Sequence, residues 1–392
     1  DGVQALWKAC AARGDLYQKD YRGLYCRGCE QFYTEEELDE GICREHGVAA
    51  ETVTETNWFF RLSKYKDQIA KLLRAGTVKV TPDQRLSEIL SFLDGTVQDI
   101  SVSRPIARAQ GWGIQVPDDP SQVVYVWFDA LTNYLTGLGW PEKPRAYQTW
   151  WAGESNIVHA IGKGIARFHA VYWIAFLLSA ELPLPTQIWV HDYLTVNGAK
   201  ISKSTGVGVD PQSLVADYGQ DAVRWWLLRD PAYVGTTDYT NERLIARYNS
   251  DLANTVGNLC SRVVKLAQGC DFENAAVDDN LLAQAYQLQK EVADAVCVFD
   301  FSRACTAAVK ISEIGNKYIE DVAPWKLKKS ENTVDQQRYL DCLFTLVCLG
   351  LVQASVLAPF LPTASRTLWA QYSELELGAS VFPRIAAAAR GQ

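Results

Sequence analysis

An α/β layer built on a parallel sheet, followed by an all-α bundle, is the fold class this sequence predicts. Three observations carry it. Apolar strand-like runs alternate with helical patterns through the middle of the chain, as crossover helices between parallel strands require. Strand signals almost disappear beyond residue 212, and residues 240–380 read as helix after helix. A short segment rich in Gly and Cys precedes both regions.

In order, residues 1–20 read as one amphipathic helix, because Val3, Leu6, Trp7, Cys10 and Ala11 recur at helical spacing. The Gly- and Cys-rich stretch YRGLYCRGCEQFYTEEELDEGICREHG is expected to be irregular, residues 57–95 helical, and DISVSRP a strand. SQVVYVWFDALTNYL suits a buried parallel strand and the helix after it. SNIVHAIGK reads as a second buried strand, GIARFHAVYWIAFLLSA as a long apolar helix, and PTQIWVHDYLTV as a third strand. That strand leads into NGAKISKSTG, a loop of small residues carrying Lys200 and Lys203. The loop is either solvated surface or a phosphate-holding device. No internal repeat is evident.

Composition narrows the class. A hydrophobic share of 48% and a charged share of 21% are an ordinary globular balance. A net charge of −8 argues against coating nucleic acid non-specifically, which needs a broad basic face. A nucleic acid read at a few defined points stays compatible. No window reaches the uninterrupted apolar length of a membrane span and there is no basic leader, so a soluble cytoplasmic protein without a membrane partner is expected. Ten cysteines in 392 residues are too sparse for a disulfide scaffold. Six of them, Cys260, Cys270, Cys297, Cys305, Cys342 and Cys348, fall in apolar helical patterns and are expected to be buried thiols. The chain opens inside a helical pattern and contains no Met, which reads as part of something longer, or a processed or engineered product.

Two clusters suggest chemistry. Cys26-x-x-Cys29 and Cys43-x-x-His46 are two ligand pairs in tight, Gly-flanked turns with 13 residues between them. Four such ligands complete a zinc tetrahedron and leave no open position, so a structural Zn²⁺ is expected. Three of the four histidines, His159, His169 and His191, fall within 33 residues of the α/β segment. His169 lies beside Phe168 and one turn before Trp173, while Trp127, Ala130 and Tyr134 share one helical face. These aromatics line either a ligand crevice at the strand ends or the core itself.

The ordered set VYVWFDALTNY, AIGKGIARFHAVYW, KISKS…VDP and YGQDAVRWWLLRD resembles the methionyl-tRNA synthetases, a family of class I aminoacyl-tRNA synthetases. The Cys26, Cys29, Cys43, His46 knuckle followed by NWFFRLSKY is similar to the bacterial zinc-containing type. The likeness runs from the first helix to about residue 370. It implies ATP-dependent activation of methionine, with Mg²⁺, and transfer to methionine tRNA. It implies that KISKS, with Ile201 where the family has Met, closes over ATP. Lys200 and Lys203 would then stabilise the leaving pyrophosphate, with Arg104 supporting activation. Gly162 and Gly164 would line the ATP site. Trp127, Ala130, Tyr134, Ile165, His169 and Trp173 match the methionine side-chain pocket, an aromatic box suited to a polarisable thioether. Asn258, Arg262 and Trp325 match the readers of the CAU anticodon, where unpaired bases stack on an aromatic and are hydrogen-bonded at their edges.

On this resemblance residues 1–120 hold the end of a catalytic-fold helix and a zinc-knuckle insertion. Residues 121–235 form the second half of a Rossmann-type catalytic domain, and residues 236–392 an anticodon-binding-type bundle. The sequence departs from the family at four points. The histidine motif of the first strand–helix turn does not occur, so an N-terminal catalytic half in cis or in trans is expected. Gly164 stands where the family has an Asp on the ribose, Leu131 where some members have Pro, and the Asn common after the signature loop is lacking. Two further readings therefore stand beside the first: a paralogue activating another amino acid without tRNA, as in hydrazine-type biosynthesis, and a non-catalytic tRNA-binding protein.

Overall fold

The computed structural model describes residues 1–386 except 30, 46, 143, 154–155 and 202–207. The chain divides into two compact units, Asp1–His191 and Asp192–Gln392.

The first unit opens with α1 (Gly2–Ala12), shorter than the helix expected over residues 1–20. Gly14, at φ +71°, stops it. Gly14 N–H donates to the Ala11 carbonyl and Asp15 N–H to that of Cys10, a Schellman ending that turns the chain out of the helix. The chain then runs into β1 (Leu16–Cys26), which pairs antiparallel with β2 (Gln31–Tyr33) and β3 (Glu51–Phe60). The segment expected to be irregular is strand only at its start, in the end of β1, and in β2, and the rest of its described residues are turns and one short helical turn. Thr and aromatic residues in β3 favour the pleated surface, and its end, Asn57–Phe60, is strand rather than the expected helix. One short helical turn at Leu62–Lys64 leads into α2 (Lys66–Arg74); β4 (Lys79–Thr81) and α3 (Asp83–Asp94) follow.

β5 (Ile100–Ser101) closes the antiparallel sheet in the order β2-β1-β3-β5. β6 (Ser103–Pro105), β7 (Gln115–Val116) and β8 (Asp119–Val124) form a second antiparallel sheet ordered β6-β8-β7. β8 is the strand expected to be parallel. An apolar run marks burial and not direction, so its pairing is a correction. α4 (Val126–Thr136) follows, as expected, and then α5 (Pro144–Tyr147). The parallel sheet is ordered β4-β10-β9, with β9 (Val158–Gly162) and β10 (Gln187–His191) in register from Gln187↔Val158 to His191↔Gly162. Its third strand, β4, comes from a stretch that reads as helix. Between β9 and β10 the chain is π-helical over Phe168–Trp173 and continues as α6 (Ile174–Ser179).

Beneath these elements Asp15 is buried at 1% exposure. It accepts hydrogen bonds from Lys64 Nζ at 2.6 Å, Tyr65 Oη at 2.5 Å and Ser179 Oγ at 2.7 Å. One carboxylate thus joins the start of β1, the entry to α2 and the end of α6.

The second unit starts with a three-stranded sheet, ordered β12-β11-β13, of β11 (Leu194–Val196), β12 (Ala199–Lys200) and β13 (Thr237–Tyr239). The rest is helical: α7 (Pro211–Tyr218), α8 (Gln220–Arg229), α9 (Asn241–Tyr248), a π-helical stretch Asn249–Gly257, α10 (Asn258–Ala267), α11 (Asp279–Cys297), α12 (Phe301–Val322), α13 (Pro324–Leu327), α14 (Thr333–Leu357) and α15 (Pro362–Glu374). The stripe Ile245, Tyr248, Leu252, Val256, Leu259 and Val263 is buried along its whole length.

One expectation, on the cysteines, is corrected here. Cys297 is exposed at the end of α11 and Cys270 and Cys348 are only half-buried, while Cys260, Cys305 and Cys342 are buried. α14 is long and apolar enough to cross a membrane by length and composition. Its apolar residues Leu343, Leu346, Leu349 and Leu357 are instead buried in the bundle. Gly350 lets α15 approach closely, since a Cβ there would lie 2.2 Å from Tyr372 Cζ.

Candidate active site and RNA-reading surface

The aromatic cluster of the first unit grows from α4, β9 and the π-helical turn. On α4, Trp127 lies flat on Phe168 at 4.1 Å and 12°, Tyr134 points to the histidines, and Ala130 is exposed on the same face. His169 Nδ1 is 3.0 Å from the Ile165 carbonyl, and its Nε2 is 2.8 Å from Tyr134 Oη. A carbonyl only accepts, so Nδ1 carries the proton and Nε2 receives the tyrosine hydroxyl. Burial lowers the His169 pKa against the upward pull of that carbonyl, so the ring is neutral at pH 7. Trp173, fully buried, lies 6.1 Å from Tyr134. Tyr134, Ile165, His169 and Trp173 are therefore brought together, and Trp127 joins through Phe168.

His159, named among the histidines but not in the expected pocket set, and Trp151, which no sequence signal singled out, belong to this cluster. His159 lies 4.2 Å from Tyr134 and 5.5 Å from His169, and burial, then His169, pulls its pKa down to about 3. The signal was the period of two along β9, which buries His159 and Ile161 and exposes Val158 and Ala160. Trp151 closes the far side, 6.0 Å from both His159 and Trp173. Gly162 ends β9 opposite His191, and Gly164 is exposed in the turn after it, at the carboxyl end of a parallel strand where ligands of α/β sheets bind.

Arg104 is 6% exposed. Its guanidinium stacks 4.4 Å from the Tyr125 ring and 5.1 Å from Phe32, and Nη1 donates to the Ser103 carbonyl at 2.7 Å. These contacts tie β6 to the sheet that carries Cys26. The sulfurs of Cys26, Cys29 and Cys43 all lie within 4.8 Å of one another. Sulfurs about 2.3 Å from a tetrahedral zinc are roughly 3.8 Å apart, so the three thiols fit that geometry. The fourth expected ligand, His46, lies outside the described residues.

In the second unit the stretch expected to be a loop, NGAKISKSTG, begins with a hairpin turn ahead of residues 202–207, which lie outside the described residues. Asn197 at φ +50° and Gly198 at φ +77° make the two-residue turn between β11 and β12, the conformation an Asn-Gly pair favours. Asp238 Oδ1 accepts from Thr195 Oγ1 at 2.6 Å and Gly198 N–H at 2.7 Å, which fixes the hairpin. Lys200 is in β12, paired with Thr195. Lys203 lies outside the described residues. Beyond it, Asp210 caps α7 by accepting from Ser213 N–H at 2.9 Å, with Pro211 as first helical residue.

Asn258, Arg262 and Trp325 converge. Arg262 lies 5.6 Å from the Trp325 ring centroid, and Asn258 and Arg262 share the acceptor Asn316 Oδ1. Trp325 keeps 40% of its surface open. A half-exposed indole beside a guanidinium and a carboxamide can stack a base and hydrogen-bond its edges.

A parallel-sheet unit with this aromatic cluster, and a helical unit with this surface, point to the first class of tRNA synthetases. The family model described as "tRNA synthetases class I (M)" matches residues 33–264, and that described as "Anticodon-binding domain of tRNA ligase" matches residues 278–386. Within the class the chain belongs to the methionine family. It is 36% identical over 377 residues to the methionine–tRNA ligase of Caldanaerobacter subterraneus subsp. tengcongensis, covering 94% of this chain and 58% of that one. It is 38% identical over 380 residues to the methionine–tRNA ligase of a Nostoc species, covering 93% and 69%. Among solved structures it resembles Mycobacterium tuberculosis methionyl-tRNA synthetase in complex with methionyl-adenylate, with a TM-score of 0.88 and 34% identity, covering 98% of this chain and 80% of that chain. The chain thus spans between 58% and 69% of the length of these two curated relatives. The expected N-terminal catalytic half gains no support from these matches.

Proposed function

We propose that this chain is the ATP-handling, amino-acid-binding and anticodon-reading part of a cytoplasmic methionine–tRNA ligase. Residues 1–120 supply the insertion, 121–235 the Rossmann-type half-site with KISKS, and 236–392 the anticodon bundle. Methionine occupies the Trp127, Ala130, Tyr134, Ile165, His169 and Trp173 pocket, where neutral His169 orients the tyrosine. ATP, with Mg²⁺, lies along Gly162 and Gly164, and Lys200 and Lys203 meet the charge growing on pyrophosphate. Arg104 supports activation by holding β6. Zn²⁺ on Cys26, Cys29, Cys43 and His46 holds the insertion together.

The observation that carries the reading is the convergence of Arg262, Asn258 and Trp325 on one surface. An enzyme freed from tRNA has no need to keep them together, which weighs against the tRNA-independent paralogue despite Gly164. The test is charging of methionine tRNA by the intact protein. Trp325→Ala should lower kcat/KM for tRNA about 5- to 150-fold, the value of one stacked base, and leave methionine-dependent ATP–pyrophosphate exchange unchanged. Equal loss in both assays would remove Trp325 from the RNA-reading role.

A further inference from the structure

The side chains of Asn258 and Arg262 are held by a residue that no sequence pattern singles out. Asn316, on α12, donates from Nδ2 to the Thr255 carbonyl at 3.1 Å and to the Ser312 carbonyl at 3.0 Å. Its Oδ1 accepts from Asn258 Nδ2 at 3.3 Å and from Arg262 Nη1 at 3.5 Å. This fixes the amide. Turning it over would set its oxygen against two carbonyl oxygens and its NH₂ against two donors, four unfavourable contacts at once.

The backbone on both sides is shaped for this contact. Gly315 lets α12 come close to α10, since a Cβ there would lie 2.7 Å from Leu259 Cδ2. The helix leading into Asn258 is π-helical over Asn249–Gly257, and the Thr255 carbonyl that Asn316 meets lies in that stretch. The other acceptor of Arg262 is Glu320, 3.4 Å from the same Nη1 and 67% exposed, where solvent screens it. A neutral amide therefore orients the arginine without offsetting its charge, and holds the guanidinium beside Trp325.

We propose that Asn316 is the positioning residue of the RNA-reading surface: its locked amide sets Asn258 and Arg262 in the one arrangement that reads anticodon bases. This rests on the tRNA-charging function above. Held donors discriminate between bases, and loosened donors bind RNA without discriminating, because the ordering cost returns at each binding event.

The experiment is a mutant cycle in the intact protein, with transcripts of methionine tRNA carrying the CAU anticodon or one altered anticodon base. Asn316→Ala should lower kcat/KM for the CAU transcript roughly tenfold, about the loss of one hydrogen bond to a charged donor, mainly through KM. Discrimination against the altered base should fall with it, and ATP–pyrophosphate exchange should hold. Asn316→Asp keeps the acceptor but sets a carboxylate against two carbonyls, and should lose discrimination too. In an Asn258→Ala/Arg262→Ala background, Asn316→Ala should have almost no further effect on charging. Additive losses there, or unchanged discrimination in both single variants, would overturn the proposal while the charging function stands. Wild-type protein that charges no tRNA would overturn that function and this inference together.

Discussion

Lys203→Ala in the intact protein is expected to slow methionyl-adenylate formation by about 10²–10³-fold and to leave methionine binding almost unchanged. The asymmetry follows from where charge appears. Attack on the α-phosphate pushes negative charge onto pyrophosphate, and an ammonium that meets it only in the transition state lowers the barrier without tightening the ground state. The framework supports this division of labour. The segment is entered by the Asn197–Gly198 hairpin held by Asp238 and left through the Asp210-capped α7, so its two ends are fixed. Rapid-quench measurement of adenylate formation, beside equilibrium titration with methionine, separates the two effects. Equal losses in rate and binding would give the loop another task.

Asp15→Ala is expected to destabilise the first unit by about 3–5 kcal/mol, the cost of removing one partner from a buried charged network. Tyr65 and Ser179 lose their acceptor, while Lys64, half exposed, turns to water. The native network also sets a pH dependence. Burial alone would raise the Asp15 pKa, but the bonds from Lys64, Tyr65 and Ser179 outweigh it and hold it below the ordinary 3.8. With the folded value depressed, the stabilisation is fully present above the unfolded value and is lost as pH falls through the folded one. The gap between denaturant melts of wild type and variant should therefore narrow as pH falls below 3.8. A difference that persists undiminished in acid would place the stabilisation elsewhere.

The helical unit was the more legible half of the sequence. The stripe from Ile245 to Val263 is a property of one helical run, and it also put Asn258 and Arg262 on another face. The antiparallel sheet was opaque because the partners of β1 lie far along the chain, from Leu16↔Phe60 to Tyr25↔Glu51, and local pattern says nothing of pairing. The strand before α4 read as buried and is so from Gln122 onward, but its direction depends on β6 and β7, which its own residues do not encode.

Among the expected site residues, Trp127 and Tyr134 on α4 and Cys26, Cys29 and Cys43 were marked by their spacing. Those that act through a neighbour were not. Asn316 is a lone amide on a long helix, and only the approach of α12 to α10 gives it a task. The Asn197–Gly198 hairpin was available as a two-residue turn signal, but Lys200 and Lys203 drew the segment into a loop reading.

ATP–pyrophosphate exchange by the intact protein, with methionine set against a panel of other amino acids, tests the central claim most directly. The predicted result is exchange that depends on methionine and exceeds that with any other amino acid, as the proposed assignment of methionine to the Tyr134–His169–Trp173 cluster requires. Exchange with another amino acid and none with methionine would contradict it.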